Sequence, residues 1–460
     1  MTKIDIMKII FIRHTAMLFI LLASIVWLQS CSEDDVSTED TQIIAEEPVP
    51  EEPEEDPVIE EPDFTPEGIV EVFDADKIED NYMLVNDAAS NRVYLMNKEA
   101  RLLHEWIFTN NIGNDVFLLP NGKLLASLES DDPKIGLGGK GGRLQMIAPD
   151  GNVEWDFIYS SLEGETHHDA EMLPNGNILA MVWQRITNAE AMQAGFMLED
   201  DDVFPESIIE INPSTNEIVW EWHSWDHLIQ DHDATKDNYG IISEHPELID
   251  INYTTKSGTI ADVKGDIMHA NAIAYDEVND VILLSVNFYS EVWAIDHSTS
   301  TEEANGHYGG SYNKGGDLIY RFGNPETYEN SEGSRLFYNN HFPNLLKGVN
   351  QGKLLIYSNG NGFDQSTVFE LELPAVYDLQ ATSNNEPKVT WSFTDPELYS
   401  PKVSGAVPLP NGNILITEGT FGFWEVTREK EVVWKCNSQG FFWRAYHYSK
   451  DAPEIKLLGL

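Results

Sequence analysis

The stretch HDAEMLPNGNILAM (168–181) constrains the fold of this chain more than any other feature. It reads as two short alternating strands around a Pro-Asn-Gly turn, whose glycine supplies the positive φ that a tight hairpin demands. The unit recurs as NDVFLLPNGKLLAS (114–127), HANAIAYDEVNDVILLSV (269–286), HFPNLLKGVNQGKLLIYS (341–358) and SGAVPLPNGNILITEG (404–419), with NYMLVNDAASNRVYLM (81–96) as a divergent copy. A second element alternates with it, a short strand carrying an aromatic: HEWIF, VEWDF, IVWEW, LIYRF, VTWSF and VVWKC. Repeats of this kind cannot bury their apolar faces singly and must stack on one another. The pattern predicts an all-β chain, a six-bladed β-propeller over 67–460. No long stretch has a 3.6-residue period, so helices belong to loops. A two-domain β-sandwich is the structural alternative, and the regular aromatic-terminated strand speaks against it.

Aligning the repeats on the turn gives a register. Six residues before Pro120, Pro174, Tyr275, Lys347 and Pro410 stand Asn114, His168, His269, His341 and Ser404. In a propeller the first strand of each blade lines the central channel, so equivalent positions converge at one mouth. Three histidines distant in sequence are therefore expected together. On the returning strand, seven residues past the turn, stand Glu129, Trp183, Asn287, Asn359 and Gly419. This places Asn287 near His269 and Asn359 near His341. Arg321 of LIYRFGNP is expected close by, completing an anion site of His, Asn and Arg in an acidic protein. His167, His297 and His307 read as structural or exposed. Three imidazoles are also a zinc ligand set. No carboxylate or cysteine recurs at the position, however, and Arg321 would repel a cation, so no metal is expected.

The formal net charge of −50 argues against nucleic acid and against adhesion to anionic lipid headgroups. It is uneven: residues 32–64 hold fifteen Asp and Glu and no Lys or Arg. Before this tract lies a basic start, the apolar run AMLFILLASIVWL and LQSC. The run is short for a spanning helix and suits a signal peptide. LQSC resembles a bacterial lipobox, with Cys31 as the lipidated residue; an uncleaved membrane anchor is the alternative. SEDD after Cys31 resembles the export tag of some bacterial surface lipoproteins. The expected organisation is a lipoprotein signal peptide over 1–30, an acidic Pro/Glu-rich disordered tether over 31–66 and the propeller. The protein then sits in the cell envelope, as an outer-membrane lipoprotein held to the membrane through its lipid only. With Cys31 lipidated, Cys436 has no partner, and the fold stands without a disulfide.

The strings WHSWDHLIQDHDATKDNYGIISEHPELIDINY, HANAIAYDEVNDVILLSVNFYSEVWAIDHST, GDLIYRFGNPETY, LPNGNILITEGTFGFWEVT and FWRAYHYSKDAPEI resemble the bacterial arylsulfotransferase (aryl-sulfate sulfotransferase) family over nearly all of 75–455. The resemblance implies a six-bladed propeller that moves a sulfuryl group from a phenolic sulfate ester to another phenol, without a nucleotide sulfate donor or other cofactor, through a transiently sulfated histidine. By motif, the histidine of HAN is His269, the histidine opening the next blade is His341, placed as the nucleophile, and the arginine is Arg321. His168, Asn287 and Asn359 are assigned to substrate binding. Implied partners are an aryl sulfate donor and a phenolic acceptor. The chain departs from many relatives at Asn287, where they carry His, at Phe342 after His341, where they often carry Asp, and at Gly422-Phe423. These departures leave a second class open, a ligand-binding propeller that kept the fold without turnover. A quinoprotein dehydrogenase is a remote third, since its adjacent-cysteine and metal pattern is not visible.

Overall fold

The computed structural model describes residues 64–460, apart from 89, 199–200, 259–264, 361–363 and 439. The expected signal peptide, Cys31 and nearly all of the expected tether lie outside the described residues. The chain is all-β with a propeller-like arrangement of antiparallel sheets. Each PNG turn forms as its sequence requires, with Gly122, Gly176 and Gly412 at φ 79°, 87° and 93°, a region that glycine enters without steric cost. The aromatic-terminated segments all form the fourth strand of a four-strand run, as in Val153–Ile158, Glu217–His223 and Lys388–Phe393.

The expectation of six separate blades is corrected. Among the described residues four sheets of four or five strands stand as separate blades, eight strands form one continuous sheet, and Leu228–Ile229 and Ile249–Asp250 make a small parallel pair. The fusion has a local cause. The innermost strands Ile112–Leu118 and Gly164–Met172 meet in a single parallel pairing, Asn114 with His168, where both backbones have left the ordinary β region (φ 115° and 53°).

The two chain ends interlock with the repeats. Phe442–Tyr448 pairs with Tyr82–Asp87 as the innermost strand of the first blade, and Ile69–Phe73 pairs with Val432–Asn437 at the outer edge of the last. The reading of 81–96 as a divergent first hairpin is thus also corrected. Those residues form the second and third strands of their sheet, and the innermost strand comes from the far end of the chain. The core lies within and between sheets; Trp293, Trp424 and Trp434 are each at most 2% exposed, and their burial is a main apolar contribution to stability.

Candidate active site

The register position deduced from the turns is a structural position. His168 and His269 have φ 53° and 50°, Asn114 115° and Ser404 91°. Such values are rare for residues with a Cβ and mark local strain. Strand pairing slips at the same places, between Ile112 and Val116, between Ala270 and Ala272, and opposite Ala180/Met181. A β-bulge in the innermost strand thus re-aims a side chain in these three repeats. In the fifth repeat the positive φ falls on Phe342 (53°), one residue after His341.

The imidazoles gather. His168 and His269 have ring centroids 5.1 Å apart at 83°. Trp443 stands 5.6 Å from His168 and 5.7 Å from His341. His269 stacks on Phe288 at 4.8 Å. A glycine loop of the second repeat, GLGGKGG (136–142), lies against the rings. A Cβ on Gly139, at φ 83°, would fall 2.0 Å from His168 Cε1, and one on Gly138 would touch His269 Cε1 at 3.4 Å. Only glycine permits this approach at position 139.

Each imidazole has a different partner, and the partner sets its proton. His341 Nδ1 lies 2.6 Å from Asn359 Oδ1. The Asn359 amide cannot be reversed, because its Nδ2 donates to the carbonyls of Ser400 and Val403. Nδ1 of His341 therefore donates, and its Nε2 carries the lone pair. Burial pushes the His341 pKa down to about 3, the Asn359 bond opposing and the charges of His269 and Arg444 assisting. The ring is neutral near pH 7. His269 is the opposite case. Burial alone would lower its pKa, but the buried Asp266 carboxylate, 2.5 Å from Nδ1, more than offsets this and the pKa is raised. His168 Nδ1 lies 2.7 Å from His167 Nδ1, and His167 Nε2 lies 2.8 Å from Glu206. Burial raises Glu206 well above the carboxylate range and lowers His167 to about 3. Burial disfavours the charged form of both, and a neutral Glu206 donating to His167 leaves His167 Nδ1 to donate to His168, whose own proton is then on Nε2. His167, expected to be structural or exposed, is thus a buried link to the cluster.

Asn287 and Asn359 lie where the register put them. The Asn287 backbone N–H donates to the His269 carbonyl at 3.2 Å, and its side chain ties down Asn339 and Asn340, just before His341. Arg321 does not join them. It occupies the outermost strand of its sheet, Tyr320–Phe322. All five of its N–H groups are engaged, by both oxygens of Glu291, the carbonyls of Pro246 and Leu248, and Thr327 Oγ1. It is a structural cation, and its placement in the anion site is corrected. The arginine beside the histidines is Arg444, on the closing strand. It bonds Asp169 at 2.9 Å, lies 3.4 Å from Asp115 and covers the Phe342 ring at 3.9 Å. Trp183 Nε1, Trp443 Nε1 and Arg444 Nε are buried without a hydrogen-bond partner among the described residues.

The sequence reading missed Trp443, Arg444, Asp266 and Glu206. Asp266 was accessible as Asp-x-x-His before HAN. Trp443 and Arg444 were hidden because 81–96 had taken the place of their strand in the repeat count.

The model of the family described as Arylsulfotransferase (ASST) matches residues 87–450. No curated protein matches the sequence. Among solved structures, one similar chain is a protein of unknown function from Bacteroides caccae, at 14% identity, covering 80% of this chain and 98% of that one, with a TM-score of 0.45. Another is BamB from Moraxella catarrhalis, at 9% identity, covering 84% and 94%, with a TM-score of 0.36. With its histidine-bearing repeats and a family match over most of its length, the chain belongs to the arylsulfotransferase (ASST) family.

Proposed function

We propose that the protein transfers a sulfuryl group from an aryl sulfate ester to a phenol, with His341 as the covalent nucleophile. The observation that carries this is the Asn359 contact, which holds a neutral imidazole with its Nε2 lone pair available. Nε2 attacks sulfur, the sulfur–phenolate bond breaks, and His269 protonates the departing oxygen. The sulfo-histidine is discharged when an acceptor phenol gives its proton to His269 and its oxygen attacks sulfur, breaking the N–S bond. Sulfuryl transfer, like phosphoryl transfer, needs in-line placement and donors for the equatorial oxygens. His168 Nε2 and the partnerless indole N–H groups of Trp183 and Trp443 are the donors this reading assigns. The experiment is a chromogenic aryl sulfate with phenol and no nucleotide. A burst of the first product, ping-pong kinetics and one added sulfuryl group by intact mass in the absence of acceptor are expected. Turnover without an adduct would sink the covalent route.

The full engagement of Arg321 favours one second reading, a propeller that binds aryl sulfates without turning them over; binding without product in the same assay would establish it. We further propose that the eight-stranded sheet acts as two blades of a six-bladed ring, since it holds two four-stranded antiparallel runs. On the same footing Cys31 is a lipid anchor in the cell envelope. Cys31→Ala should release the protein from membranes or leave its precursor unprocessed, and unchanged processing and retention would refute the anchor.

A further inference from the structure

A second histidine cluster lies away from the channel, at the edge of the fourth blade. His227 ends the short helix Ser224–His227, and His307 and Asp317 belong to the glycine-rich connection that leads to Tyr320–Phe322. Gly316 lets this loop close over His227, since a Cβ there would fall 2.5 Å from His227 Nε2 and 1.9 Å from the Ala304 carbonyl. Both imidazole Nδ1 atoms face one carboxylate oxygen, Asp317 Oδ1, at 2.8 Å from His227 and 2.7 Å from His307.

The tautomer of His227 is fixed from its other side. Nε2 lies 2.9 Å from the Ala304 carbonyl, which only accepts, so the ring proton is on Nε2. In the neutral ring, Nδ1 then directs a lone pair at a carboxylate oxygen. His227 is buried and Asp317 nearly so, and two lone pairs facing each other at 2.8 Å leave room for a shared positive ligand between them. A histidine that donates its remote N–H to a backbone carbonyl while a carboxylate approaches its other nitrogen is the usual setting of a metal ligand. The Trp222 ring lies parallel to His227 at 5.9 Å and is itself pinned by its N–H to the Gly316 carbonyl.

We propose that His227, His307 and Asp317 bind a divalent transition-metal ion of the zinc type. The three ligand atoms lie within 4.8 Å of one another. Tetrahedral zinc needs ligands about 3.3 Å apart, so the Asp317 oxygen must withdraw by roughly half an ångström. Two imidazoles and one carboxylate make a nitrogen-rich set that selects zinc over calcium or magnesium. His307, 55% exposed at its side chain, leaves an entry path and a fourth position for water. The net charge of −50 favours cation approach.

The test uses the purified, chelator-stripped full chain, titrated with Zn²⁺ by calorimetry and with Co²⁺ by visible absorption. One equivalent of zinc is expected, with tetrahedral cobalt bands. His307→Ala removes a half-exposed ring and should leave the fold intact while weakening zinc binding about 100-fold or more; Asp317→Asn should do the same. His269→Ala should leave the titration unchanged. No binding by the wild-type chain would overturn the site. Undiminished binding in His307→Ala, or loss in His269→Ala instead, would overturn it equally.

Discussion

The fourth and fifth repeats present the same residue type at the same register position and give it opposite chemistry. His269 meets a buried carboxylate, which raises its pKa; His341 meets a fixed amide, and burial lowers its pKa to about 3. His341 is 4% exposed and the His269 side chain 20%, but burial lowers the pKa of both, and the partner at Nδ1 is what turns the net shift of His269 upward. A repeat fold delivers a ring to the axis, and one neighbour sets its proton affinity; in the function proposed above this separates the proton donor from the nucleophile. This is the division of labour that two-step group transfer requires.

The comparison breaks most sharply at His341. His341→Ala should abolish the burst and the turnover together, and a residual rate near that of the wild type would transfer the nucleophile's role elsewhere. His269→Ala should follow at about a hundredfold loss in rate, as expected of a general acid–base group. Its pH dependence carries a sign. The first half-reaction needs the protonated ring, so product burst rates should be full below the raised pKa of His269 and fall as pH rises through it. His341, with its pKa near 3, contributes no limb above about pH 4. Leaving groups of lower pKa need less protonation and should lose less in His269→Ala. Asn359→Asp would give His341 the kind of partner His269 has. The variant should raise the His341 pKa and add an acidic limb below which the nucleophile is protonated, a change visible in stopped-flow bursts. An unchanged profile would mean that the amide does not set the tautomer. Trp443→Phe, which keeps the ring and deletes the N–H, should cost the least, on the order of tenfold in kcat/KM, the worth of one hydrogen bond to a charged group. An equal loss in stability would mark the indole as structural.

The channel-facing histidines were legible from sequence because hairpin turns fix register, and register fixes which face a residue occupies. The turn of the third repeat, Pro174 to Gly176, located His168, and counting past it located Trp183. The cation was not legible. Arg321 follows an aromatic in LIYRF and looks equivalent to site residues, but its strand is the outermost of its sheet, where a buried guanidinium finds Glu291 and carbonyl oxygens instead of substrate. The replacing residue, Arg444, lies in FWRAYHY, a strand with no PNG turn after it. A repeat split between the two chain ends presents half a signal at each. The carboxylate Glu206 was equally hidden, one acidic residue among many that only its burial makes chemically distinct, whereas Asp266 stood three residues before His269.

The closing strand has one more consequence, for timing. Phe442–Tyr448 brings Trp443 between two histidines and Arg444 between Asp115 and Asp169, and it follows every other sheet strand in the sequence. Its pairing with Tyr82–Asp87 is among the longest-range contacts in the molecule, the class that forms slowly. Until it docks, the first blade lacks an inner strand and two aspartates face each other without their counter-cation. A nascent or C-terminally truncated chain can therefore assemble most blades and still lack a finished reaction chamber. The chamber closes in one late event, when Phe442–Tyr448 pairs with Tyr82–Asp87.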